Sequence, residues 1–468
     1  MPAMPLNTQD RFTRRTALKA GAGTALTLAA ANGLPAWARP IANIAQAGPG
    51  TLPFPNLPEG TPTMAKIEHI IVLMMENHTF DNFLGMLPNQ VKARRKVDGL
   101  KVDKHGRVTN ANPDATGKLV RATHSPSPCQ GDGVGQNWLA SHTSFAGGKN
   151  NGFVKASSPQ AMLYFDQTDL PFSYSLATHF PIGERYFSSV LAQTYPNRRF
   201  LFAGTANGNI ATDNSTFSIP APAGTIFDRL DAHQISWKCY YENLPSPLII
   251  PGAGQGNRGV VNFRPITEFF SDLTAGTLPA VTYLDPQYEV QSQENPQDIQ
   301  VGEHFMSTVV HAVMSSSAWP KTALFINYDE GGGYYDHVPP PKAVTPDDTP
   351  PILKPGDPAG GYDRYGFRVP LYVVSPWARK NYVSRVVQDH TSVLKFIERK
   401  FNLGAITRRD AAAADMTDYF DFKHAAFLHP PKLAPPPLIT KNLQKCTAQG
   451  LKPPLPNDGN KNNVTPVL

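Results

Sequence analysis

The stretch IEHIIVLMMENHTFDNFLG (residues 67–85) begins as a strand-length run of aliphatic and β-branched residues, then breaks into Glu76, Asn77, His78, Thr79 and Asp81. A continuous apolar run without polar alternation predicts a strand buried on both faces, as in a parallel sheet. Three more runs share this character: LPAVTYL (278–284), TALFINY (322–328) and VPLYVVS (369–375). Between them PFSYSLATHF (171–180), GEHFMSTVVHAVMSSS (302–317) and TSVLKFIERKFN (391–402) carry helical patterning, the last with Val393, Leu394, Ile397 and Phe401 at helical spacing. Strands alternating with helices predict an α/β fold, a doubly wound, mostly parallel sheet with helices on both faces.

With 468 residues, 41% hydrophobic and 17% charged, the chain can build a large core and lacks the composition of a disordered protein. No internal repeat or strong linker divides residues 64–425, which read as one domain; the turn-rich stretch 207–264 leaves an inserted cap as an alternative. Proline, 46 residues in all, clusters late, and residues 426–468 read as a Pro-rich tail over the surface.

At the N-terminus TRRTALK (13–19) precedes a small apolar run, AGAGTALTLAAA (20–31), and PAWA (35–38). This predicts a twin-arginine export signal over residues 1–38, cleaved after Ala38, with an uncleaved anchor as the alternative. The run falls short of the roughly 20 residues a bilayer span needs, so the mature chain is expected without a transmembrane span, in the periplasm or secreted. Removing residues 1–38, four basic side chains against Asp10, lowers the net charge from +6 to +3, too little to argue for nucleic acid. Cys129, Cys239 and Cys446 show no metal-ligand spacing and allow one disulfide of unassigned pairing.

In open α/β sheets ligands collect beyond the carboxyl ends of strands. Two of the apolar runs end alike there, the first in Glu76 and Asn77, the third in Asp329 and Glu330. If these strands are neighbours, three carboxylates and an amide converge and repel unless a cation sits among them. An all-oxygen set favours calcium, magnesium or manganese, with zinc open if histidines join. The alternative is that each pair caps a helix or sits in a turn. The following GGGYYDH places three glycines where backbone approaches a ligand, then Asp336 and His337, the latter a candidate acid or phosphoryl contact. Asp389 and His390 open a predicted helix, where a capping role competes with a functional one. Thr194, before Pro196 and Asn197, reads on spacing alone as a helix cap.

The motifs IEHIIVLMMENHTFDNFLG, QTYPNR, TALFINYDEGGGYYDHVPPP and FRVPLYVVSPWARKNYVSRVVQDHTSVLKFIERKF resemble the bacterial phosphoesterase family of phospholipases C and related acid phosphatases. With GGKNNGF, DLPFSYSLATHFPIGERYF and WKCYYENLPS, the similarity runs in family order from about residue 67 to 422. The resemblance implies an alkaline-phosphatase-like fold and a metal-activated Ser or Thr that forms a covalent phospho-enzyme. It implies Thr194 as nucleophile, Glu76, Asn77, Asp329 and Glu330 as ligands of a divalent metal, and Asn197 as a phosphate contact. His142 matches a family histidine, and His337 is the first choice of acid for the leaving group; His142 and His390 complete the candidate substrate contacts.

Two positions depart from the pattern, Gln136 in GQNW and Asn295 in SQENP, where relatives commonly carry His. Both keep a hydrogen-bonding side chain and lose a proton that titrates near neutral pH. The expected activity is phospholipase C-type hydrolysis of a phospholipid or similar phosphate ester. The alternatives are an acid phosphatase on small phosphomonoesters and, from another class, a catalytically weakened phosphate or phospholipid binder.

Overall fold

The computed structural model describes residues 47–129, 134–288 and 290–437. The predicted export signal lies outside the described residues, as does the tail beyond residue 437. The described strands of the main sheet are β1 (His69–Met75), β2 (Ile182–Gly183), β3 (Trp237–Tyr241), β4 (Phe263–Pro265), β5 (Val281–Asp285), β6 (Thr322–Tyr328), β7 (Leu371–Val374) and β8 (Val383–Ser384), in the order 8-2-7-6-1-5-3-4. β1 sits at the centre, parallel to β6 on one side and to β5 on the other. β7 alone among these runs antiparallel to its neighbours. The predicted mostly parallel α/β sheet is therefore what forms.

All four sequence-predicted strands are present, and the centre of β1 and the whole of β6 are buried, as continuous apolar runs require. The two-residue strands β2 and β8 were too short for any periodicity to reveal. The possible cap at 207–264 is corrected: its WKCYY segment becomes β3, paired with β5, and FRP becomes β4. Trp237, Cys239 and Tyr240 are buried there, so this stretch completes the sheet.

The helices that matter for the site are α1 (Phe80–Leu84), α2 (Trp138–Phe145), α3 (Pro171–His179), α4 (Thr194–Ala203), α5 (Ile299–Ser315) and α6 (His390–Phe401). Side chains three apart on a strand point to opposite faces. Phe325 of β6 meets Phe396 of α6, ring centroids 4.9 Å apart, whereas Tyr328 reaches Met306 of α5. Helices thus cover both faces of the sheet. The described start of the tail is docked, with the Ala434 N–H donating to Ser175 Oγ at 2.9 Å and the Pro437 carbonyl held by His304. Cys129 is disulfide-bonded, and Cys239 is a free, buried thiol. No helix among the described residues is long and apolar enough to cross a membrane.

Candidate active site

The parallel register of β1 and β6 pairs Met75 with Tyr328, so both chains leave the sheet at the same level. The polar ends then lock: the Asn77 and Glu330 N–H groups donate to Asp329 Oδ1 at 3.1 and 2.7 Å. Neither pair caps a helix. That role in α1 falls to Thr79, which accepts from the Asn82 N–H. Asn77 adopts a left-handed φ of 68°, a conformation that Asn tolerates and that concentrates at functional sites. Gly332 is close behind, at φ +60°, where a Cβ would lie 2.0 Å from the Asn77 carbonyl oxygen. Two of the glycines expected to admit a ligand, Gly332 and Gly333, admit neighbouring backbone.

Glu76, Asn77, Asp329 and Glu330 are all buried. Burial first, then mutual repulsion with Glu294 and Asp329, pushes the Glu76 carboxyl well up; burial, then Asp329, does the same to Glu330. Burial also raises Asp329, opposed by Arg198 and by hydrogen bonds from Asn77, Glu330 and Thr194. Asn77 Oδ1, Asp329 Oδ2 and Glu330 Oε1 are buried without a hydrogen-bond partner. Unpartnered buried oxygens in an acidic group are donors of the kind a hard divalent cation takes, although the Glu76, Asp329 and Glu330 carboxylates do not all come within 4.8 Å of one another.

Thr194 is the first residue of α4, not its cap; Gln193 holds that position without a side-chain capping bond. Thr194 lies close enough to the Asp329 carboxylate to lower its pKa. One turn on, at i+4 and so on the same helix face, Arg198 reaches the acidic group. Its Nη2 lies 3.1 Å from Glu76 Oε1, its Nε 3.5 Å from Asp329 Oδ2 and its Nη1 3.6 Å from Asp285 Oδ1. Although burial opposes the charge, Tyr288 and these carboxylates keep the guanidinium protonated. Tyr288 also stacks 5.0 Å from Arg198 and donates to Asp285 at 2.7 Å.

Sequence reasoning missed Arg198, Asp285 and Glu294. Two of them carried a readable signal: Arg198 follows Thr194 by four residues, and Asp285 ends β5 just as Glu76 follows β1. Glu294, beside the discussed Asn295, raises both Glu76 and Glu330 by its charge.

The other predicted residues do different work. Asn197 is corrected as a phosphate contact: its Oδ1 accepts from the Ser189 and Val190 N–H groups at 2.8 and 3.0 Å, and its amide donates to the Ala192 and Gln193 carbonyls at 2.8 and 3.0 Å. That amide shapes the 189–193 loop, one wall of a cleft of about 260 Å³ that also includes Gly135, Ser144, Glu330, Gly331 and Phe367. His390 is fully buried and burial lowers its pKa to about 3. Its Nε2 meets the Asp329 carbonyl at 2.6 Å and its Nδ1 the Tyr186 hydroxyl at 3.0 Å, so it supports Asp329 rather than reaching outward. His142 donates from Nδ1 to the Trp138 carbonyl at 2.8 Å and stacks on that indole; burial lowers its pKa. Asn295 donates to the Tyr334 hydroxyl at 3.0 Å, and Gln136 is half-buried beside the cleft residue Gly135.

His337 is corrected as a free acid. Its Nδ1 meets Asp81 Oδ2 at 2.6 Å and its Nε2 meets Asp98 Oδ1 at 3.0 Å. Burial lowers its pKa, but the charge of Asp81 and hydrogen bonds to Asp81 and Asp98 outweigh that and raise it to about 10. Arg368 completes the group, 3.0 Å from Asp81 and 2.9 Å from Asp336. The ligand-capable atoms of Asp81, Asp336 and His337 lie within 4.8 Å of one another, as do those of the more exposed His124, Asp166 and Asp169. In the first set Arg368 already supplies the positive charge. His78, with no role evident from sequence, is sandwiched between Phe83 and Tyr334, with ring centroids 3.7 and 5.3 Å away, and bonds Asn82 and the Gln293 carbonyl. It ties the end of β1 to the loop that carries Glu294.

The chain is 28% identical over 398 residues to non-specific phospholipase C1 of Arabidopsis thaliana, covering 79% of this chain and 74% of that protein. Phospholipase C A of Mycobacterium tuberculosis is 29% identical over 476 residues, 90% of this chain and 89% of that one. Among solved structures, a protein in the alkaline phosphatase superfamily from Vibrio parahaemolyticus is similar at 10% identity, covering 71% of this chain and 78% of that chain, with a TM-score of 0.34. Residues 67–404 match the Phosphoesterase family along the strands and loops that build this acidic site, and the chain belongs to that family as a hydrolase of phosphoric esters.

Proposed function

We propose that the chain is an exported phosphoesterase of the phospholipase C type, in which Thr194 attacks phosphorus, the diacylglycerol oxygen leaves, and the phosphoryl head group stays on Thr194 as a covalent ester that water then hydrolyses. The observation that carries this reading is the placement of Thr194 close enough to Asp329 to lower its pKa, beside an acidic group whose oxygens at Asn77, Asp329 and Glu330 are buried without partners. A divalent ion held by Glu76, Asn77, Asp329 and Glu330 would, when bound, lower the pKa of that hydroxyl and offset charge on the attacking oxygen. Its identity, among calcium, magnesium, manganese and zinc, is open to measurement.

The chain's own residues then divide the work. Asp329, close to Thr194, is placed to orient the threonine hydroxyl. Arg198 neutralises part of the carboxylate repulsion and holds Glu76 in place. The N-terminus of α4 presents a partial positive charge toward an anion at Thr194. Asn197 fixes the 189–193 wall of the cleft. The export reading rests on the twin-arginine pattern of residues 13–38.

A second reading, a phosphatase on small phosphomonoesters, follows from the acid phosphatases that the sequence motifs also resemble. The test is to assay the purified mature chain, supplied with divalent ions, on a phosphomonoester and on phosphatidylcholine, beside Thr194→Ala. Turnover of phosphatidylcholine that Thr194→Ala abolishes is the expected result. Turnover confined to the monoester selects the second reading, and turnover that survives Thr194→Ala removes the nucleophile assignment.

A further inference from the structure

Twelve large hydrophobic side chains stand exposed among the described residues, and five of them, Phe217, Leu244, Leu248, Ile352 and Leu353, fall on three loops around the start of α4. Scattered singly, such residues need no explanation; gathered beside a site, they mark an interaction surface. The loops connect to the site through Tyr195, the residue after Thr194, and through Asp285. The Phe217 ring, 48% exposed, lies 6.1 Å edge-on from that of Tyr195, the residue after Thr194. The Tyr195 N–H donates to Thr212 Oγ1 at 3.1 Å, which fixes the loop leading into the turn Asn214–Ser218.

That turn packs against the turn Ser246–Ile249, which carries Leu248, 43% exposed; Leu244, 64% exposed, lies just before it. The second turn is anchored beneath the acidic site, because Ser246 donates from N and Oγ to Asp285 at 2.7 and 2.8 Å, and Asp285 faces Arg198. On the other side the Ile352 N–H donates to the Gly208 carbonyl at 2.8 Å, and Lys354 pairs with Asp213 at 2.9 Å. The polar anchors point inward while the apolar side chains stay in water, an arrangement that costs solvation unless a partner covers it.

Resting on the phosphoester reading above, we propose that these three loops form an apolar collar that seats on a lipid surface and takes the acyl region of a phospholipid whose phosphate lies at Thr194. The occupant is a lipid interface, argued from continuity: the collar adjoins the phosphoryl site through Tyr195 and Asp285, so one molecule with an apolar body and a phosphate at its end spans both. Shallow insertion of a few such side chains, without a transmembrane span, is how amphipathic surfaces hold to a bilayer. The collar separates recognition of aggregated lipid from the chemistry of the ester.

The test uses the full mature chain with divalent ion and three proteins: wild type, the triple variant Phe217→Ser, Leu244→Ser, Leu248→Ser, and the control Leu119→Ser, an exposed leucine on a separate two-stranded sheet. Co-sedimentation with phosphatidylcholine vesicles reads binding, and hydrolysis of water-soluble p-nitrophenylphosphorylcholine reads chemistry. The triple variant is expected to bind vesicles at least about tenfold more weakly while its turnover of the soluble ester stays within about twofold, with the control unchanged in both. Equal vesicle binding by wild type and triple variant overturns the proposal, as does wild type that stays off vesicles while hydrolysing the soluble ester. A wild type dimeric by light scattering, made monomeric by the triple variant, overturns it in favour of a second copy on the collar. Wild type that binds vesicles through the collar yet hydrolyses no ester keeps the surface and rejects the phospholipase reading.

Discussion

Arg198 Nη2 sits 3.1 Å from Glu76 Oε1 with both side chains buried, so a fixed cation is built into the acidic group that adjoins Thr194. Arg198 also faces Asp285 and Asp329, and it keeps three carboxylates from different strands in one place. Removing one partner of a buried ion pair leaves uncompensated charge, at a cost of roughly 3–5 kcal/mol. Arg198→Met is therefore expected to lower the thermal midpoint sharply in chelator, and to regain more stability than wild type when a divalent ion is added. Calorimetry with and without the ion checks this; equal ion-induced shifts in the two proteins contradict it.

Asp329 accepts from the Asn77 and Glu330 N–H groups and lies close to Thr194, so it is the side chain on which the proposed metal group depends most. Asp329→Ala is expected to emerge from purification with little bound divalent metal beside a loaded wild type. Elemental analysis decides, and equal metal content in both proteins removes Asp329 as a ligand.

Gly332→Ala tests the backbone rather than the ligands. The new Cβ would meet the Asn77 carbonyl oxygen at 2.0 Å, at a φ of +60° that side chains rarely adopt. A loss of roughly 2 kcal/mol or more in denaturant unfolding, with metal loading reduced alongside, is expected. An unchanged midpoint would mean that the Asn77 turn is free to move.

The group around His337 gives the stability a pH dependence. Its ring faces Asp81 and Asp98, with Asp336, Arg368 and the Arg185 partner of Asp98 around them. Burial opposes the charge, yet Asp81 and Asp98 raise the pKa to about 10, above an unfolded value of about 6.5. The stabilisation is therefore complete below about pH 6.5 and is lost as pH rises from there through about 10. Wild type is expected to lose roughly 2–4 kcal/mol more than His337→Gln between pH 7 and pH 10, read by urea unfolding. Parallel pH profiles for the two proteins contradict the charged assignment.

The centre of the fold was legible because β1, β5, β6 and β7 are long apolar runs, and their polar ends marked where the site forms. β2 and β8 were not, since two residues carry no period, and β3 was obscured by the turns that surround it. At the site, the four proposed ligands announced themselves as strand-end polarity. His337 and His390 were harder to place because a side chain that can titrate is equally suited to a buried structural bond: His390 is spent on a carbonyl and His337 on two carboxylates. Arg198 was overlooked because a basic residue in a helix reads as surface until the sheet brings acids against it.

The claim that Thr194 carries the phosphoryl group is tested most directly by quenching the metal-loaded enzyme in acid during turnover of a fast phosphate ester and mapping its peptides by mass spectrometry. A covalent adduct on Thr194, phosphothreonine from a phosphomonoester or the phosphoryl head group from a phosphodiester, absent without substrate and absent from Thr194→Ala, is the predicted result. Turnover at full rate with no phosphorylated peptide, or with the phosphoryl group on another residue, would contradict it.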